Sequence, residues 1–189
     1  MLKVLVDGCE PVLGSVFSAC IDLKASHDVV IEAGETKLVG LGVALDNIDA
    51  IIENDMKVRY GLLGLQAETN AYIESFKRTH YLQLMLRSSL GKKGLILPNG
   101  VGIIDIDYRD EIKMIIHNPL QVESVLNTFR AAHGKADMAV YDKKVVIKKG
   151  ERIGQIMLCE HKTRLFGIAT SNNRTGGFGS TNKDDHADK

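Results

Sequence analysis

The chain has no tryptophan, three prolines and three cysteines in 189 residues. Cys9, Cys20 and Cys159 are odd in number and show no CxxC spacing, which argues against both a disulfide framework and a thiolate zinc site. The six histidines form no HxxxH pair, so no transition-metal site built by the protein is expected. Net charge is also lacking: 24 basic residues balance 24 acidic ones. Such a chain is not built to coat nucleic acid or an anionic membrane, and any anionic ligand has to be held locally. No run approaches the roughly 18 apolar residues of a membrane span, and MLKVLVDGCE lacks a signal peptide's apolar core, so a cytoplasmic location is expected. A GxSxG elbow is absent. So is a phosphate-binding P-loop: Gly91-Lys92-Lys93-Gly94 has no glycine five residues before Gly91 and no Ser or Thr after its lysines, and it reads as a basic turn.

What is present is 44% hydrophobic residues and 18 glycines. That suits one domain of many short elements, expected over 1–170, followed by a tail. Period-two alternation predicts strands at Leu2 to Val6, Thr36 to Leu45, Val58 to Leu65, Tyr81 to Leu86, Gly94 to Leu97, Val101 to Ile106, Glu111 to His117, Lys144 to Lys148 and Arg152 to Cys159. This rhythm indicates a mainly β barrel or sandwich rather than a doubly wound sheet. Helical spacing interrupts it at Ile48 to Met56, around Thr69 to Lys77, and at Pro119 to His133, where Asn118 can cap and Gly134 can stop the helix. These are read as insertions near 48–79 and 119–142. The tail 171–189 has too few apolar residues to pack and is expected to be mobile in the free protein.

Four constellations carry chemistry. Leu86-Arg87-Ser88-Ser89-Leu90-Gly91 offers a guanidinium, two hydroxyls and a glycine turn, either an oxyanion donor set or an ordinary strand end. Asn99 to Arg109 gathers an amide, glycines, a phenol and two carboxylates. In a strand Asp105 and Asp107 would share one face, tolerable only near a cation or water. Asp22 lies in the apolar run Ala19 to Ala25, as a hydrogen-bonded turn residue or a metal-linked one. In the tail, Phe178 sits among Arg174, Gly176, Gly177, Gly179, Ser180 and Thr181, a set able to wrap a phosphate and stack on a base, or a tail with no partner.

In chain order these segments resemble the five motifs of the trimeric dUTPase family: the first at Ala19 to Ala25, the second at Arg87 to Gly91, the third at Asn99 to Glu111, the fourth at Gly150 to Gln155 and the fifth at Arg174 to Thr181. The resemblance implies a distorted β-barrel close to a jelly roll, forming homotrimers with shared active sites. It implies hydrolysis of dUTP to dUMP and pyrophosphate, with Asp105 as general base for a water attacking the α-phosphorus. Mg2+ would arrive with the triphosphate, and Asp22 would bind its water shell. Tyr108 would lie beneath the deoxyribose and exclude a 2′-hydroxyl. Asn99, with main-chain groups of the hairpin that includes Gly102 and Ile104, would hold uracil and sugar. Arg87, Ser88, Ser89 and Gln155 would contact phosphates or brace the neighbouring subunit. From the tail, Phe178 would stack on uracil while Arg174, Gly179, Ser180 and Thr181 close over the phosphates. Cys20, Asp110 and Gly154 stand where the motifs usually have Gly, Gly and Ala. Arg174 lies four residues before Phe178, where five is commoner.

Two rival readings share the fold. A dCTP deaminase needs a glutamate three residues before an Asn in the strand after the third motif, and counting back from Asn118 gives Ile115, which carries no proton. A dUTP-switched regulator would bind a protein partner through the helical insertions.

Overall fold

The computed structural model describes residues 2–60, 66–120, 132 and 144–167. Within them the alternating runs become short antiparallel strands, because period two sends one residue to the core and the next outward. In order these are β1 (Leu2–Val4), β2 (Val12–Leu13), β3 (Ile21–Lys24), β4 (Val29–Ile31), β5 (Thr36–Gly40) and β6 (Val43–Leu45). A helical hairpin follows, α1 (Ile48–Tyr60) and α2 (Gln66–Lys77), then β7 (His80–Leu86), the short α3 (Ser88–Lys92), β8 (Gly102–Asp105) and β9 (Lys113–His117). The last described elements are β10 (Val145–Ile147), β11 (Arg152–Glu160) and a 3-10 turn, Thr163–Phe166.

Five strands form one sheet in the order β2-β3-β11-β7-β8, and β1-β6, β4-β10 and β5-β9 pair separately. The result is mainly β and jelly-roll-like; among the described residues the ladders do not close into a barrel. Inward residues such as Leu23, Val39, Leu41, Leu84, Met114 and Ile153 build the main core. No helix among the described residues is long and apolar enough to cross a membrane.

Several expectations need correction. Val58 to Leu65 is not a strand: Val58 to Tyr60 continue α1, and 61–65 lie outside the described residues. Ile48, Ile52 and Met56 face inward at a spacing of four while Val58 is 76% exposed, and Glu53 pairs with Lys57 one turn on, 2.9 Å apart. Gly94 to Leu97 forms only an isolated bridge, Ile96 to His117. The run at Leu86 to Gly91 passes into α3 instead of a simple turn. β2, β3 and β4 are too short to stand out by alternation. The helix expected at Pro119 to His133 lies outside the described residues apart from its first two positions and Ala132, which is helical. Asn118, its expected cap, is buried and donates its amide to the Ile31 carbonyl at 3.0 Å.

The run Thr36 to Leu45 also divides, at Leu41-Gly42. Gly42 has φ 65°, a left-handed conformation that side chains disfavour. Its N–H donates to Glu111 Oε1 at 2.9 Å and its carbonyl accepts from Leu5 N–H at 2.8 Å, so the break ties the residue after β1 to the end of the third motif. A Cβ here would lie 2.7 Å from Cys9 Sγ, which is fully buried. Gly42→Ala therefore adds backbone strain to overpacking and is expected to cost at least about 2 kcal/mol, read as a lowered urea midpoint at unchanged slope.

Candidate active site

Two groups of candidate residues lie on the five-stranded sheet. The first centres on Asp22 in β3, which is 9% exposed. Its Oδ1 forms an ion pair with Arg87 Nε at 2.9 Å, and its Oδ2 accepts from Arg152 Nη1 at 3.2 Å. Arg87 is itself fixed, since its N–H donates to the Ile153 carbonyl at 3.0 Å and its Nη1 to the Arg152 carbonyl at 3.3 Å. Gln155 stands opposite Asp22 in the β11–β3 ladder. Ser88 and Ser89 are exposed at the start of α3, held there by Leu90, which is fully buried. Two guanidinium groups thus meet one buried carboxylate, with the exposed Ser88 and Ser89 next to Arg87 in the chain and Gln155 across the ladder, a donor set that an oxyanion can exploit. Arg152 was not among the residues singled out from sequence; charge complementarity of Asp22 with two arginines of different motifs was the available signal.

The second group surrounds a cavity of about 260 Å³ beside β8, with Asn99, Gly102, Ile104 and Tyr108 in its wall. Gly102 lets the hairpin approach β7, because a Cβ there would lie 3.1 Å from Leu84 Cβ. Tyr108 donates its hydroxyl to the Glu111 carbonyl at 3.2 Å, and burial, with the nearby charges of Asp110 and Glu111, pushes its phenol up. It stays neutral at physiological pH. Lys113, Met114 and Ile115 of β9 form the opposite wall, none foreseen as lining. Ile115 is the position that a deaminase's glutamate would take.

Asp105 ends β8 opposite Tyr81 of β7, and the chain then turns, with Tyr108 N–H donating to the Asp105 carbonyl at 3.1 Å. Asp107 lies in that turn rather than on a shared strand face, and both side chains are exposed to water. Asp22, Gln155, Met85, Ile103 and Asp105 all belong to the outward set of the pleat, while Leu23, Ile156, Leu84 and Ile104 point into the core. Arg87 and the partner of Asp105 are six residues apart along β7, roughly 20 Å. Among the described residues no group of three or more His, Cys, Asp or Glu could hold a metal. Arg174, Phe178, Gly179, Ser180 and Thr181 lie outside the described residues.

Comparison with known proteins identifies the family and the fold. The deoxyuridine 5'-triphosphate nucleotidohydrolase of Rickettsia felis is 30% identical over 181 residues, which is 92% of this chain and 88% of the relative. The chain belongs to the dUTPase family. The enzyme of the same name from Burkholderia ambifaria is 29% identical over the same shares. Among solved structures, the Streptococcus mutans dUTPase superposes with a TM-score of 0.51 at 23% identity, over 85% of this chain and 95% of that one. A Staphylococcus aureus phage phi11 dUTPase gives 0.54 at 15%, over 95% and 97%. A mutant of that phage enzyme coordinates a structural Mg(II) ion. No protein-family model matches.

Gly154 is the position where the resemblance to the dUTPase motifs leads one to expect alanine, and the geometry shows what occupies the space instead. A Cβ at 154 would fall 2.7 Å from Met114 Cε, so the methionine methyl already fills that space. The Asp22 cluster yields a stability test. Asp22→Asn removes the charge between two arginines and should cost about 1–3 kcal/mol, less than for a fully buried pair because Arg152 is 46% exposed. A double-mutant cycle in urea with Arg152→Met should show coupling of about 0.5 kcal/mol or more.

Proposed function

We propose that this protein hydrolyses dUTP to dUMP and pyrophosphate by in-line attack of water on the α-phosphorus. The reading is carried by the cavity at β8: a mostly apolar wall with a few polar groups, beside the strand that delivers Asp105. Main-chain groups of the Asn99–Asp105 hairpin would read the uracil edge, and Tyr108, neutral and held by Glu111, would pack beneath the sugar. Asp105 would take a proton from the attacking water, a contribution of about 10²–10⁴-fold. Arg87, Ser88, Ser89 and Gln155 would hold phosphate oxygens as charge moves toward the leaving pyrophosphate. Magnesium carried by the triphosphate would neutralise part of that charge. Asp22 suits a contact to a metal-bound water, because each of its oxygens, though engaged by one arginine, retains a second acceptor position.

The active species would be a homotrimer with shared sites. The roughly 20 Å between Arg87 and Asp105 along one sheet is too far for one phosphate chain to engage both closely, and both face outward. Asp105 of one subunit would meet the Asp22 cluster of another. The single domain over 1–170 would receive the tail 171–189 as a lid, with Phe178 on the base and Arg174, Gly179, Ser180 and Thr181 over the phosphates. Exposed Ile51, Val58 and Tyr72 on α1 and α2 favour, as a second reading, a protein partner on the hairpin, compatible with catalysis.

Pyrophosphate release assayed with magnesium and each deoxynucleotide should be selective for dUTP, with dCTP, dTTP and the ribonucleotide UTP poor substrates. Asp105→Asn should lose at least about 10²-fold in kcat while retaining nucleotide binding. Equal rates on dCTP would sink the specificity claim. Light scattering should give three chains per particle, and an active monomer would refute shared sites. Removing 171–189 should lower turnover sharply without unfolding the sheet; an unchanged rate would remove the lid.

A further inference from the structure

A second hydrophobic cluster, apart from the main core, joins the helical hairpin to the turn that follows Asp105. It consists of Ile48, Ile52 and Met56 of α1, Ile73 of α2, and Ile106, with Phe76 packed against it. Ile106 is the residue after Asp105 and is 4% exposed, although Asp105 and Asp107 on either side face water. Ile104, on the other side of Asp105, is buried in the main core. Asp105 is therefore the single residue between two isoleucines anchored in two different clusters.

The hairpin is also fastened to the strand opposite Asp105. Lys77 Nζ pairs with Asp49 Oδ1 at 2.7 Å, closing α2 on α1. Phe76 stacks on His80 with ring centroids 3.9 Å apart, and Thr79 Oγ1 donates to the Ser75 carbonyl at 2.8 Å. The chain then enters β7, where Tyr81 faces Asp105 across the ladder. With Asp105 at the end of β8 and Asp107 and Asp110 beyond it, three carboxylates fall in six residues, all exposed to water. Among the bonds that fold the turn are Tyr108 N–H to the Asp105 carbonyl, Arg109 Nη1 to the Ile106 carbonyl at 2.6 Å and the Tyr108 hydroxyl to the Glu111 carbonyl at 3.2 Å.

We propose that the α1–α2 hairpin is a buttress for catalysis and that Ile106 is a positioning residue, pinning the Asp105 backbone from the side that the main core does not reach. The inference rests on the reading of Asp105 as general base. A base that must stay within hydrogen-bond reach of one water loses rate steeply when displaced, by about 10²-fold for 1 Å. Substrate binding depends on the β8–β9 cavity and the Asp22 cluster, neither of which includes the hairpin's residues.

The test is steady-state kinetics on dUTP with magnesium, together with binding of a non-hydrolysable α,β-imido dUTP. Ile106→Ala should lower kcat about 10–100-fold, with KM and analogue affinity within about threefold. Ile73→Ala, in α2 and away from the cavity, should lower kcat in the same direction, and Ile106→Val should restore most of the rate. Thermal unfolding of each variant checks that the sheet is intact at the assay temperature, and should Ile106→Ala not fold, Ile73→Ala carries the test. Folded Ile106→Ala or Ile73→Ala protein with unchanged kcat overturns the buttress. So does a loss confined to KM. Asp105→Asn is measured alongside: if it remains fully active, the assignment of the base fails and the buttress with it, whereas an inactive Asp105→Asn beside fully active hairpin variants overturns the buttress alone.

Discussion

The pleat of the five-stranded sheet is the constraint on which the rest of this protein depends. Because successive side chains alternate, the strands that send Leu23, Leu84, Ile104 and Ile156 into the core must present Asp22, Met85, Asp105 and Gln155 on the other face. Core formation and display of the chemical groups are thus one event, and a slip of a single residue would exchange them. The Asp22–Arg87–Arg152 cluster adds a second lock, joining β3, the end of β7 and β11 through charges from three parts of the chain. Register and site geometry are held by the same bonds.

A second consequence concerns the loops. The turn after β8 is tied at both ends to distant segments. Glu111 accepts the Gly42 N–H, Leu41 N–H donates to the Ile112 carbonyl, and Ile106 enters the helical cluster. The break between β5 and β6 is therefore part of how the third motif is held. Only glycine supplies both the positive φ and the space beside Cys9 that this requires.

Much of this was legible in the sequence because it rests on local pattern. Alternation marks β5, β7, β9 and β11, and the spacing of Ile48, Ile52 and Met56 marks α1. The residues Asn99, Gly102, Ile104 and Tyr108, adjacent in the chain, do line one cavity. What could not be read depends on distant contacts. Two-residue β2 has no period to detect, and Val58 alternates with Tyr60 while the helix continues through both. Arg152 acquires its meaning only when β11 brings it to Asp22, 130 residues away in sequence. Nor does anything local announce that Ile106, flanked by aspartates, is a core residue of a separate cluster.

The meeting of Met114 and Gly154 bears on how such a sequence can change. With the methionine methyl in the space of a β-carbon, alanine at 154 becomes comfortable only once position 114 has shortened or turned aside. Shortening 114 first leaves a void that glycine does not fill. Because that methyl is the far end of a flexible side chain, alanine at 154 asks only that Met114 turn, whereas loss of the methyl at 114 leaves space that nothing at 154 replaces, so the two changes differ in cost.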